Sequence, residues 1–203
     1  MSIRPQKESP GTIDLLRHGA TEADYIFRGS VEDPLSERGW QQMEQAVLDR
    51  QWDLILTSPL GRCSLFAHSL GEKLACDVVV ESRFAEYDFG DWDGMKYDDV
   101  MEENAKEVQR FFDDPFAHTP PNAESFSGFH DRVVSAWNHV VEQHGSGTVL
   151  VVTHGGVIMS VLAEIMGLQR IHGRIEVPYA CLTRIQLSSE GASHRLVSHG
   201  SIG

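Results

Sequence analysis

With 203 residues, 41% of them hydrophobic and 23% charged, the chain is sized for one folded domain carrying at most a small inserted cap, and is neither disordered nor fibrous. Its formal charge of -13, from 17 Lys and Arg against 30 Asp and Glu, opposes any nonspecific hold on nucleic acid or an anionic membrane. An anionic substrate would need a basic pocket set into this acidic surface.

The N-terminal stretch Met1–Lys7 lacks the apolar core of a signal peptide. Beyond Pro10-Gly11, short apolar runs alternate with segments of helical spacing, the pattern of βα units around a largely parallel sheet. Strands are expected over Thr12–Leu16, Asp53–Thr57, Asp77–Val80, Thr148–Thr153 and Cys181–Leu187, with a weaker one over Arg195–Ser198. Between them, Ser36 caps a helix running to about Arg50, and helices follow over Leu60–Leu74, Tyr97–Phe112, Ser125–Gln143 and Gly155–Met166. The stretch Phe84–Pro121 fits no simple βα unit and reads as an excursion over one face, a lid. Runs such as Thr148–Val152 and Val157–Ala163 fall far short of the roughly 20 residues that span a bilayer. Cys63, Cys76 and Cys181 form no CxxC pair, so neither a disulfide framework nor a zinc knuckle is indicated, and a reducing cytoplasm is the expected location.

Two strands end alike. Leu15-Leu16-Arg17-His18-Gly19 and Val151-Val152-Thr153-His154-Gly155-Gly156 each run from an apolar strand into a histidine followed by glycine. In an open α/β sheet, ligands sit beyond the carboxyl ends of strands, so the two imidazoles should meet there. A third strand delivers Ser58-Pro59-Leu60-Gly61-Arg62 to the same edge. A guanidinium in the first turn of a helix is electrostatically misplaced unless an anion sits with it, which makes Arg17 and Arg62 candidates for a phosphate clamp. Each close guanidinium–phosphate pair gains about 4 kcal/mol of gross Coulomb energy at an effective dielectric near 20.

Two histidines and two arginines around a phosphate suit phosphoryl transfer to an imidazole nitrogen. Neighbouring cations should keep the nucleophilic histidine neutral, and the second imidazole stabilises charge on the transferring group. No Asp or Glu stands at ligand spacing beside either histidine motif, so neither a metal nor another cofactor is expected. Departure of an alcohol needs a proton donor, and Glu86, Asp88, Asp91 and Asp93 all lie in the excursion. Residue type alone does not choose among these four. Several features keep plainer readings: Asp98, Asp99, Glu102 and Glu103 as a solvated helix start, Trp137 with Val133, Val134, Val140 and Val141 as core, and Cys63 as helix packing.

Leu16-Arg17-His18-Gly19-x-Thr21, Ser58-Pro59-x-x-Arg62-Cys63, Glu86 with Gly90 and Gly94, and Thr153-His154-Gly155-Gly156 together resemble the histidine phosphatase superfamily, the phosphoglycerate mutase-like family. The match runs from about residue 12 to 187. The resemblance implies a three-layer α/β fold, a mostly parallel sheet flanked by helices, with the excursion at about 84–121 capping the site. It implies that His18 is phosphorylated, that Arg17 and Arg62 hold the phosphoryl group, that His154 supports its charge and that Glu86 donates the proton. Substrate contacts are then expected from Arg17, Arg62, His154, Gly155, Thr21 and Arg28.

Arg28-Gly29, Asp33-Pro34-Leu35, Phe89–Gly94 and Pro120-Pro121-Asn122-Ala123-Glu124-Ser125 look most like the alpha-ribazole-5'-phosphate phosphatases of cobalamin assembly. That subgroup typically has Gly-Gly where this chain has Asn122-Ala123, and Glu where it has Asp93. Ala20 and Asp24 also depart from the family, which favours Glu and Asn there. An ionised Asp24 would repel phosphate, so it should turn away, take a proton or pair with Arg28, and should not touch the phosphoryl oxygens. The expected activity is a metal-independent phosphomonoesterase acting on a small phosphorylated metabolite, with no nucleic-acid or membrane partner. The alternatives are phosphoglycerate mutase-type transfer and a non-catalytic phosphate-binding module. A homodimer is one option that the sequence does not fix.

Overall fold

The computed structural model describes residues 10–168, 174–188 and 194–200. Six strands, β1 (Thr12–Arg17), β2 (Leu54–Thr57), β3 (Val78–Val80), β4 (Thr148–Thr153), β5 (Leu182–Gln186) and β6 (Arg195–Gly200), form one sheet in the order β3-β2-β4-β1-β5-β6. The first four neighbours pair in parallel, and β5 runs antiparallel to both β1 and β6. Five helices accompany them: α1 (Glu37–Ala46), α2 (Gly61–Leu74), α3 (Tyr97–Asp113), α4 (Phe126–Gln143) and α5 (Gly155–Met166). None of the described helices is long and apolar enough to cross a membrane.

The central strands β1, β2 and β4 are mainly apolar on both faces, and their two-residue period divides the core. Ile13, Leu15, Leu56, Val149 and Val151 point to the side packed by α4, α5 and the excursion. Leu16, Ile55, Leu150 and Val152 point to the side packed by α1 and α2 through Met43, Phe66, Ala67 and Leu70. On that second side the buried Asp14 accepts two hydrogen bonds from Arg184, at 2.8 and 2.7 Å, and one from the Trp52 indole at 2.9 Å. A charge taken out of water at the sheet centre needs such a set of donors. Trp137, Val133 and Val140 are buried along α4, as their spacing suggests.

Two helices depart from their expected courses. Ser36 does cap α1, accepting from the Gly39 N–H at 3.1 Å, but the helix stops at Ala46 instead of Arg50. The chain turns there through Asp49, whose φ of 57° lies in the left-handed region that a helix interior excludes. In α3, Asn104 leaves helical geometry (φ -131°, ψ 30°), so the expected continuous helix is kinked. Asparagine side chains compete for backbone groups and weaken a helix interior. The acids Asp98, Asp99, Glu102 and Glu103 are exposed at its start.

Candidate active site

Strand register builds the site. Arg17 stands opposite Thr153 in the parallel β1–β4 pairing, and the ladder continues one step further, with the His18 N–H donating to the Thr153 carbonyl at 2.9 Å. The next residue on each strand is a histidine, so two imidazoles 136 residues apart in sequence arrive side by side. Their ring centroids are 5.3 Å apart at an interplanar angle of 62°. β2 brings the third contribution: the Ser58 N–H donates to the Val152 carbonyl at 2.9 Å, and the Ser58 hydroxyl lies 2.7 Å from His154 Nε2.

Both histidines are buried, at 3% and 0% exposure, in a site that disfavours their cationic forms. Burial, then Arg17 and Arg62, hold the His18 pKa well below its ordinary value. His154 is lowered in the same direction by burial, Arg62 and His18 itself. His18 Nδ1 lies 2.8 Å from the Gly19 carbonyl. A carbonyl only accepts, so Nδ1 carries the proton and the Nε2 lone pair is left for chemistry. Gly19 must be glycine for steric reasons, because a Cβ there would lie 2.0 Å from the Gly39 carbonyl oxygen.

Arg62 is fully buried in the first turn of α2, its two terminal nitrogens donating to the carbonyls of Val31 at 2.8 Å and Gly29 at 2.6 Å. The anion expected at this helix start is partly supplied by the protein itself. Glu32 accepts from the Gly61 N–H at 3.1 Å, which narrows the sequence argument for Arg62 as a phosphate ligand. What remains in its favour is the buried Arg62 Nε–H, which finds no partner among the described residues, and the same holds for Arg17 Nε. Buried donors of this kind ordinarily have an acceptor. Arg17 donates to the Val177 carbonyl, and its guanidinium lies 4.4 Å over the ring of Tyr179.

The four acids of the excursion separate by their partners. Asp88 accepts from the Gly90 N–H at 2.9 Å, and Asp91 pairs with the Asn122 amide at 3.0 Å. Asp93 accepts from the N–H groups of Gly29 at 2.9 Å, Ser30 at 2.6 Å and Val31 at 3.2 Å. Glu86 alone of the four lines the cavity with Arg17, Gly155 and Gly156. Its oxygens accept from the N–H of Tyr87 and of Gly156, each at 3.0 Å. Desolvation pushes its carboxyl above the ordinary value, against the opposing pull of those N–H donors and of Arg62 and Arg17.

Aromatic residues of the excursion line the cavity together with Phe27. Phe27 contacts Phe89, Trp92, Tyr97 and Phe112, with ring centroids 5.2 to 6.4 Å apart. Arg28, expected to contact substrate, lines the cavity but is held by Asp33 at 2.6 Å and by the Tyr179 hydroxyl at 3.1 Å. It therefore does not pair with Asp24, which is exposed. Thr21 is buried in a bridge to Leu35, and its hydroxyl has no partner among the described residues. Cys63 packs beneath His154, its Sγ 3.6 Å from Nε2, and burial raises its thiol pKa, so the packing reading of this residue holds. All three cysteines are unpaired.

Three contributions were not singled out by sequence. Ser58, which touches His154, stands in the sequence only as part of a strand end. Tyr179 enters from the segment before β5, where no motif marks it. Arg132 on α4 donates to the carbonyls of Arg83 and Ala85, both at 2.8 Å, and of Glu86 at 2.9 Å, while pairing with Glu124 at 2.6 Å. It thereby fixes the backbone that presents Glu86. Its partner Glu124 stands in the sequence only within the Pro120–Ser125 motif, and Arg132 itself lies inside an ordinary helical stretch.

Comparison with known proteins agrees with this arrangement. The family model "Histidine phosphatase superfamily (branch 1)" matches residues 13–199. An uncharacterized phosphatase, PhoE, of Bacillus subtilis is 32% identical over 183 residues, covering 88% of this chain and 89% of that protein. Phosphoserine phosphatase 1 of Hydrogenobacter thermophilus is 30% identical over 158 residues, 75% of each chain. The crystal structure of the alpha-ribazole phosphatase from Shigella flexneri superposes with a TM-score of 0.83 at 26% identity, covering 94% of this chain and 96% of that one. By sequence, fold and the residues gathered at its sheet edge, the chain belongs to the histidine phosphatase superfamily.

Proposed function

We propose that the chain is a phosphomonoesterase that works through a phosphohistidine at residue 18. The observation that carries this reading is the contact of His18 with His154 at 5.3 Å, with Nδ1 of His18 committed to a carbonyl and two arginines in electrostatic reach. The neutral Nε2 of His18 attacks phosphorus as the bond to the alcohol oxygen breaks. Glu86, whose acid form is favoured by its burial, delivers its proton to that oxygen. Arg17, Arg62 and His154 hold the phosphoryl oxygens, with the first N–H groups of α5 at Gly155 nearby. Water then attacks the phosphohistidine and loses its proton to the Glu86 carboxylate, releasing phosphate and restoring His18.

The finer assignment, alpha-ribazole 5'-phosphate as substrate, draws on the cap motifs and on the likeness to the Shigella flexneri enzyme. The unpaired cysteines and the acidic composition fit action in the cytoplasm as one catalytic unit with its cap. The test is phosphate release across a panel of ribazole phosphate, phosphoglycerates, phosphoserine, sugar phosphates and nucleotides, with the labelled enzyme trapped by an alkaline denaturing quench, because the P–N bond of a phosphohistidine hydrolyses in acid. Release and label should both vanish in His18→Ala. Transfer between phosphoglycerates outpacing phosphate release would establish a mutase instead, and retained ligand binding without any turnover would establish a binding module.

A further inference from the structure

We propose that the cavity beside His18 selects phosphate monoesters of uncharged, ring-bearing alcohols and excludes alcohols that carry a carboxylate, with the Arg28–Asp33 pair as the excluding device. The proposal rests on the phosphomonoesterase reading above and specifies its substrate class.

The cavity measures about 470 Å³ and adjoins the catalytic edge through Arg17, Glu86, Gly155 and Gly156. The rest of its lining is largely aromatic, with Phe27, Phe89, Tyr97, Phe111, Phe112 and Phe129. Phe27 and Tyr97 stack on each other at 5.4 Å and 26°, so the lining offers a planar leaving group aromatic faces and edges. Four charged side chains line the same space: Arg17, Glu86, Arg28 and Glu176. Arg17 and Glu86 belong to the phosphoryl chemistry, and Glu176 is an exposed anion at the rim.

That leaves Arg28 as the one cation in the lining, among the described residues, available to a substrate carboxylate. Each of its three nitrogens already donates one hydrogen bond, and its charge is paired with Asp33. Nε donates to Asp33 Oδ2 at 2.6 Å, one terminal nitrogen donates to the Tyr179 hydroxyl at 3.1 Å, and the other donates to the Ala23 carbonyl. The two side chains are only 9% and 7% exposed, so the ion pair is shielded from water and persists. Asp33 is itself pinned, accepting from the Ala23 N–H at 3.2 Å. A carboxylate entering this slot would be desolvated against aromatic rings, beside Glu176, and facing a guanidinium already neutralised. A neutral ring meets none of these penalties.

The experiment compares two esters with the same benzylic leaving oxygen, 4-methylbenzyl phosphate and 4-carboxybenzyl phosphate, beside O-phosphoserine and 3-phosphoglycerate, on the full chain. The methylbenzyl ester should exceed the carboxybenzyl ester at least tenfold in kcat/KM, mainly through KM, and should exceed both small carboxylates. Asp33→Asn should unmask Arg28 and narrow the ratio by raising turnover of the carboxybenzyl ester. A wild-type ratio within threefold, or inverted, overturns the proposal, as does a folded Asp33→Asn protein with an unchanged ratio. If asparagine at 33 prevents folding, Arg28→Met carries the test. Equal losses on both esters support a neutralised arginine, and a selective loss on the carboxybenzyl ester makes Arg28 a carboxylate receptor and overturns it. Absence of phosphate release from every ester, with no label on His18, would remove the phosphomonoesterase reading and this inference with it.

Discussion

The Arg17 guanidinium lies 4.4 Å above the ring of Tyr179, whose hydroxyl accepts from Arg28 at 3.1 Å. The same ring sits 5.7 Å from that of His18, so one side chain braces Arg17, Arg28 and His18, the proposed phosphate ligand, cavity arginine and nucleophile. A cation–π contact out of water contributes about 0.5–2 kcal/mol. Tyr179→Leu should therefore lower kcat/KM by about 3- to 30-fold and weaken competitive inhibition by inorganic phosphate in parallel. Tyr179→Phe keeps the ring and should lose less; equal losses in the two variants would place the effect in the hydroxyl.

The opposed pKa shifts of Glu86 and His18 set the expected pH dependence. The proposed reaction requires Glu86 protonated and His18 neutral. Because Glu86 is raised, the acid form persists above the ordinary carboxylate value and is lost as pH rises through its folded pKa. Because His18 is lowered, it becomes cationic only well below about 6.5. kcat/KM for an alkyl phosphate should be bell-shaped and acid-favoured, and Glu86→Gln should remove the alkaline limb while lowering kcat by about 10²–10⁴. A wild-type profile flat into the strongly basic range would remove Glu86 from the proton-donor role.

Gly156 is required by the acid's placement. A Cβ at this position would lie 2.4 Å from Glu86 Oε1, inside contact distance, while the N–H that holds the other oxygen would remain. Gly156→Ala should displace the carboxyl and reduce kcat at least tenfold with little change in KM. Overpacking of this kind costs about 1–3 kcal/mol, readable as a modest fall in Tm.

Asp93 acts on Arg62 through the backbone. Its carboxylate collects three consecutive N–H groups of residues 29–31, and the carbonyls of Gly29 and Val31 in that same loop receive the Arg62 guanidinium. Asp93→Ala should loosen both carbonyls and lower kcat/KM by about 10²-fold, since displacements near 1 Å reach that size. Arg62→Ala in the same background should add little further loss, and additive effects would show that the two act independently.

The apolar runs of β1, β2 and β4 and the His-Gly step after two of them were legible in the sequence, because strand period and strand ends are local properties. So were the helices, except where Asp49 and Asn104 departed from helical geometry for reasons that spacing does not encode. The meeting of His18 and His154 could be anticipated from the general rule that ligands gather at carboxyl ends of strands, and the β1–β4 register realises it. Residue type could not separate Glu86 from Asp88, Asp91 and Asp93, which are chemically alike and within seven positions of one another. The distinction lies in partners 31 to 70 residues away: Gly156 for Glu86, Asn122 for Asp91 and residues 29–31 for Asp93. Arg28 shows the same limit, as its cation is spent on Asp33 and Tyr179, a pairing no spacing rule announces. The sequence by itself determined the strands, their histidine ends and the groups available for phosphate chemistry, because these follow from local pattern. Only the tertiary structure decided which carboxylate faces the cavity and which arginine is neutralised, because a buried charge is defined by the partners that folding brings to it.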